Sequence, residues 1–168
     1  MNTIEKTSNF NTIIANNEKA IRYVASFYCS DKELLEDLYQ EIKTNIWNSF
    51  DSFKGNAQIS TWIYRIAINV SILYSKKNCY QKNIVYFSSL AELENNCFVE
   101  EKDIMLEELY ALVEQLDSID KAIILLYLEK RSHKEIADIM GLSVTNVGTK
   151  INRIVKKLKS KRNTDNEE

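Results

Sequence analysis

Apolar residues return along this chain at helical spacing. Phe10, Ile13, Ile14, Ile21, Val24 and Tyr28 fall close to one residue per helical turn, which predicts a helix or a pair of helices over about 10–28. Leu34, Leu38, Ile42, Ile46 and Phe50 then step by four, the apolar stripe of a long amphipathic helix. Ahead of that stripe, Ser30-Asp31-Lys32-Glu33 has the Ser-x-x-Glu form of a capping box. In that arrangement the hydroxyl accepts from a first-turn amide while the carboxylate reaches back to the cap. The pattern breaks over 49–60 (SFDSFKGNAQIS), where Gly55 and Asn56 mark a structured loop. Thr61 can cap a further helix with Ile63, Ile66, Ala67, Val70 and Tyr74 on its apolar face, ending near Lys77-Asn78.

Periodicity fades over 80–103 and resumes as four helices. Ile104, Leu109, Leu112, Val113 and Leu116 mark the first. Ser118 can cap the second, which is expected to bury Ile123, Ile124, Leu126, Tyr127 and Leu128. Ser132-His133-Lys134-Glu135 is a second capping box; it opens a short helix carrying Ile136, Ala137, Ile139 and Met140, which Gly141 ends as a left-handed residue. Ser143 caps the last, with Val147, Ile151, Ile154, Val155 and Leu158 inward. The fold class expected is therefore all-α.

Composition agrees. The 168 residues hold no proline and three glycines, too few to punctuate a β-rich or loop-rich protein, and 45% are apolar, enough for a packed core. No run approaches the roughly 20 apolar residues of a membrane span, and the start MNTIEKTSNFNTII lacks the basic-then-apolar order of a secretory signal. Cys29, Cys79 and Cys97 are odd in number, far apart and in no zinc spacing, and read as reduced cytosolic thiols. Neither a metal nor a cofactor is expected.

Charge divides the chain. Residues 90–120 carry ten Asp/Glu against Lys102 alone, whereas 119–162 carry eleven Lys/Arg against four Asp/Glu. A basic end beside an acidic middle suggests a polyanion-binding module and a segment that repels or imitates polyanions.

The basic end has the order of a helix-turn-helix over 133–153, HKEIADIMGLSVTNVGTKINR. Ala137 is small where the two helices must nearly touch, Gly141 makes the turn, and Ile136, Leu142 and Val147 can lock the crossing angle. Thr145, Asn146, Thr149, Lys150 and Arg153 then face outward, hydrogen-bonding and cationic groups suited to base edges and phosphates. Lys156, Lys157, Lys159, Lys161 and Arg162 continue the positive charge. His133 has no neighbours in sequence for catalysis or metal binding and reads as an exposed residue beside a cap.

Two long strings carry a resemblance. DLYQEIKTNIWNSFDSFKGNAQISTWIYRIAINV, Asp37 to Val70, resembles region two of the extracytoplasmic-function sigma factors of bacterial RNA polymerase. LDSIDKAIILLYLEKRSHKEIADIMGLSVTNVGTKINRIVKKL, Leu116 to Leu158, resembles their region four. The resemblance implies two small helical domains, 8–79 and 104–162, joined by a flexible acidic linker at 80–103 and followed by a disordered tail at 163–168. It implies that Asp37, Leu38, Gln40, Glu41 and Ile42 bind core polymerase. It also implies that Phe53, Lys54, Asn56, Trp62, Arg65, Asn69 and Lys76 recognise and melt the minus-ten element, where aromatic stacking contributes roughly 1–3 kcal/mol per base. Thr145, Asn146, Thr149, Lys150 and Arg153 would read the minus-thirty-five element. The partners implied are core RNA polymerase, double-stranded promoter DNA with its melted strand, and an anti-sigma factor, in the cytoplasm and without membrane insertion.

Three positions depart from the family pattern. Asp117-Ser118 stands where relatives often have proline, Ile68 where many have a basic or polar residue, and Gly148 where Lys or Arg is frequent. Two other classes fit less well. A stand-alone operator-binding regulator would bring a receiver or ligand module, yet no Gly-rich phosphate loop or phospho-acceptor cluster is present. An enzyme would need a constellation that one histidine and scattered cysteines do not supply.

Overall fold

The computed structural model describes residues 3–29, 31–78 and 111–165, and every regular element among them is helical. The chain divides into two compact units, Met1–Lys82 and Asn83–Glu168. The segment expected to be an acidic linker, 80–103, lies outside the described residues, as do Cys79, Cys97, Ile104 and Leu109.

The first unit is three mutually packed helices: α1 (Thr3–Tyr28), α2 (Lys32–Ser49) and α3 (Ile59–Asn78), with a 3-10 turn Phe50–Ser52 after α2. Helix α1 is continuous and begins well before its apolar stripe. Its polar side chains are satisfied locally: Thr12 donates to the Ser8 carbonyl at 3.0 Å and Asn17 to that of Ile13 at 2.8 Å. Ile21, Val24, Leu38, Ile42, Ile46, Ile63 and Ile68 form the fully buried centre. Cys29 is buried.

Two expected caps move. Asp31, not Ser30, opens α2; its extended backbone lets the carboxylate accept from the Glu33 and Leu34 amides at 3.0 Å each. Helix α3 starts at Ile59, so Thr61 lies inside the first turn and caps nothing. The buried face of α3 is also wider than expected. Ile63, Tyr64, Ala67, Ile68, Ser71 and Tyr74 are buried, while Ile66 and Val70 are half-buried, because α3 packs on both α1 and α2. Ile68 is therefore core. Ser71 is fully buried, and its hydroxyl has no hydrogen-bond partner among the described residues.

The second unit has a helical segment at 111–114, then α4 (Ser118–Leu128), α5 (His133–Met140) and α6 (Val144–Asp165). Asp117, one residue before the expected Ser118, caps α4 by accepting from the Ile119 and Asp120 amides at 3.0 and 2.9 Å. Ile123, Ile124 and Leu126 are buried with Leu125, but Tyr127 and Leu128 are exposed, since the chain turns away there. That turn runs through Lys130, a non-glycine residue at φ 61°.

The capping box at Ser132 and Glu135 is present in full. Gly141 is left-handed at φ 67°, and the Leu142 amide returns to the Ala137 carbonyl at 3.0 Å. Ile136, Ala137 and Val147 are buried where α5 meets α6, with Leu142 half-buried beside them. Val155, expected inward, is half-buried. Helix α6 runs to Asp165, so the first residues of the segment expected to be an unordered tail are helical.

Candidate nucleic-acid interface

Helix α6 opens on Ser143, whose hydroxyl accepts from the Asn146 amide at 3.2 Å. With Val147, Ile151, Ile154 and Leu158 buried, the opposite side of the helix carries Thr145, Asn146 and Thr149, all exposed. The Thr149 hydroxyl donates to the Thr145 carbonyl at 3.0 Å, which fixes its rotamer and leaves its oxygen free to accept. Lys156, Lys157 and Lys159 continue outward in exposed positions. This surface can hydrogen-bond base edges from the first two turns and neutralise phosphates beyond them.

Lys150 and Arg153 behave differently from the other expected contact residues. Both turn toward α4 and share the carboxylate of buried Asp120, with Lys150 Nζ at 3.1 Å and Arg153 Nη2 at 2.9 and 3.2 Å. Burial works to raise the Asp120 carboxyl, but hydrogen bonds and charge from Lys150 and Arg153 outweigh it and hold the group below its ordinary 3.8. Nothing in the local sequence pairs these residues, which lie 30 and 33 positions apart.

In the first unit, the loop after α2 packs Phe53 against Trp62, ring centroids 5.0 Å apart and planes tilted by 43°. Gly55 is left-handed at φ 72°, which swings exposed Lys54 and Asn56 to the loop tip. Arg65, Asn69 and Lys76 are exposed along α3, so the loop and helix present one aromatic and cationic surface. An open depression of about 490 Å³ adjoins it, lined by Phe50, Asp51 and Phe53 with Asn9, Thr12 and Ile13 of α1. Only the fold brings the α1 residues to the loop.

The α2 surface divides the expected polymerase-docking residues. Asp37, Gln40 and Glu41 are exposed on one side of the helix. Leu38 and Ile42, expected in the same contact, are fully buried and support the surface from beneath. Gln40 donates to Glu36 at 2.9 Å, and Glu36 in turn accepts from Arg22 of α1 at 2.9 Å. The Arg22 guanidinium lies 3.9 Å from the Tyr39 ring centroid and also donates to Glu18. Those partners, Arg22 first and Gln40 next, pull the Glu36 carboxyl below its ordinary 4.5.

Among the described residues, no group of three or more His, Cys, Asp or Glu is placed to hold a metal, and no helix is long and apolar enough to cross a membrane.

A helix-turn-helix unit with a polar and cationic last helix, together with a three-helix unit bearing an aromatic loop, defines a DNA-binding transcription protein. Comparison with known proteins makes the class specific. The family described as "Sigma-70 region 2" matches residues 13–78, and "Sigma-70, region 4" matches residues 106–158. RNA polymerase sigma factor YlaC of Bacillus subtilis is 28% identical over 149 residues, covering 81% of this chain and 82% of YlaC. The ECF RNA polymerase sigma-E factor of Escherichia coli is 27% identical over 161 residues, covering 86% of this chain and 81% of its own length. Among solved structures, CnrH in complex with the cytosolic domain of CnrY matches with TM-score 0.68 at 19% identity, over 95% of this chain and 90% of that one. RpoE from Bartonella quintana, in complex with the anti-sigma factor NepR, matches with TM-score 0.64 at 19% identity, over 90% and 95%. The chain belongs to the ECF sigma factors of RNA polymerase and acts, without catalysis of its own, in transcription initiation.

Proposed function

We propose that the two units divide promoter recognition between them. Thr145, Asn146 and Thr149 read the minus-thirty-five element from the major groove, with Lys150 and Arg153 beside them. Phe53, Lys54, Asn56 and Trp62 capture the melted minus-ten strand, and Arg65, Asn69 and Lys76 hold its backbone. Core polymerase docks on α2 through Asp37, Gln40 and Glu41. The observation that carries this reading is the exposed Thr145–Asn146–Thr149 surface on a helix fixed by Ser143, Gly141 and a buried apolar face. The adjoining Phe53 and Trp62 rings support the minus-ten assignment, since aromatic faces suit an unstacked base.

Cytoplasmic residence follows from work on polymerase and DNA. RpoE of Bartonella quintana binds the anti-sigma factor NepR, and by likeness of fold we infer an inhibitor of the same kind here.

Run-off transcription with core polymerase on genomic fragments tests the division. Thr149→Ala is expected to lower initiation only at promoters with a minus-thirty-five element, and Phe53→Ala to lower strand opening while leaving polymerase co-elution intact. Full promoter selectivity by the purified chain without polymerase would overturn the reading.

A further inference from the structure

Asp120 lies in the first turn of α4, behind the Asp117 cap, where the positive end of the helix favours a carboxylate. The residue is 4% exposed, yet the Arg153 side chain that meets it is 63% exposed. The cation thus reaches back from the surface to a buried anion. Lys150 and Arg153 are spaced i, i+3 on α6, between the buried stripe and the outer face of Thr145 and Thr149. The carboxylate offers them two oxygens at hydrogen-bonding distance, the acceptor arrangement that a phosphate group would also offer. Its depressed carboxyl keeps it charged at neutral pH.

We infer that Asp120 is an internal phosphate mimic that positions Lys150 and Arg153 along the flank of α6 and cancels one of their two charges, holding down binding to DNA that lacks the promoter sequence. The inference rests on the proposed reading of α6 as the duplex-facing helix. In physical terms the triad presents one net positive charge to DNA instead of two. Every phosphate contact releases condensed counterions, so removing the carboxylate adds one contact to the salt dependence, and removing a cation subtracts one.

The test uses the full chain and a fluorescently labelled duplex of random sequence, with binding followed by anisotropy across a salt titration. Asp120→Asn is expected to steepen the slope of log affinity against log salt by about 0.9. Lys150→Gln is expected to flatten the slope by about 0.9, and the double variant to return it to the parent value. A side chain that merely ties α4 to α6 would give another pattern. Asp120→Asn would then weaken binding at unchanged slope, and the double variant would not recover; that result overturns the inference. Circular dichroism reports folding of each variant. Should Asp120→Asn unfold, Asp120→Ser takes its place with the same expected slope, and an unchanged slope rejects the inference. Lys156→Gln separates the two levels. If it flattens the slope while Asp120→Asn leaves it unchanged, α6 still faces the duplex and only the role of Asp120 fails. If neither Lys156→Gln nor Lys150→Gln alters it, both fall.

Discussion

Replacing Gly148 by alanine is expected to stabilise the second unit, whereas the same replacement at Gly141 is expected to destabilise it. Gly148 sits inside α6 with an ordinary helical backbone, and a Cβ built there meets only the His133 ring, Nδ1 at 3.7 Å and Cε1 at 3.8 Å. Those distances are normal contact, so no neighbour has to move. The helix interior then gains the difference in propensity, about 0.8–1.0 kcal/mol. Gly141 also has open space around its missing side chain, but its φ of +67° places an alanine in the left-handed region at a cost of about 1–2 kcal/mol. For a unit of this size each kcal/mol moves the melting temperature by about 4–8 °C. Scanning calorimetry of the full chain should show one transition rising for Gly148→Ala and falling for Gly141→Ala. A fall for Gly148→Ala would refute the claim that the α5–α6 contact has room for a methyl group. The same variant asks why glycine persists on this helix. Loss of run-off transcription despite higher stability would mean that DNA backbone approaches α6 at Gly148 more closely than a methyl group permits.

Leu38→Ala should cost about 2–5 kcal/mol, because its side chain is fully buried, while Glu41→Lys should leave urea stability within about 0.5 kcal/mol and weaken co-elution with core polymerase; equal stability losses would contradict the division of α2 into a core side and a docking side. Ser71→Ala removes a buried hydroxyl that lacks a partner among the described residues and should raise stability by about 1 kcal/mol, read as a higher urea midpoint at constant slope; a lower midpoint would mean that the hydroxyl is satisfied in solution. Asp120, Glu36 and Glu135 all have carboxyl groups held below their ordinary 3.8, 4.5 and 4.5, Glu135 first by the Ser132 backbone amide. Groups depressed in the folded state stabilise it above their unfolded values and lose that contribution as pH falls through the folded ones. Urea stability should therefore hold steady from neutral pH to the ordinary carboxyl range and decline below it; a decline already complete above that range would assign the acid sensitivity to other groups.

The helix-turn-helix was legible because each of its signals has a mechanism tied to one residue. Ser132 with Glu135, Gly141 and Ser143 each satisfy specific backbone groups, and all four act as their types suggest. Legibility failed where two neighbours were equally able. Ser30 and Asp31, or Asp117 and Ser118, can all cap a helix, and the choice lies in which residue takes the extended backbone, as Asp31 does at φ −73°, ψ 129°. The turn at Lys130 gave no sign, since a left-handed lysine has no glycine to announce it. Asp120 reads in sequence as the last of an acidic run; its burial and its hold on α6 come from tertiary packing alone. The docking surface shows a different failure. The four-residue stripe had already assigned Leu38 and Ile42 to the core, and the resemblance to a family placed them among the contact residues as well. Burial sides with periodicity. On the proposed docking, what α2 offers core polymerase is Asp37, Gln40 and Glu41 with the Arg22–Glu36 network beside them, a polar and net acidic face. Its affinity for a basic surface should weaken with added salt, as a contact made through Leu38 and Ile42 would not.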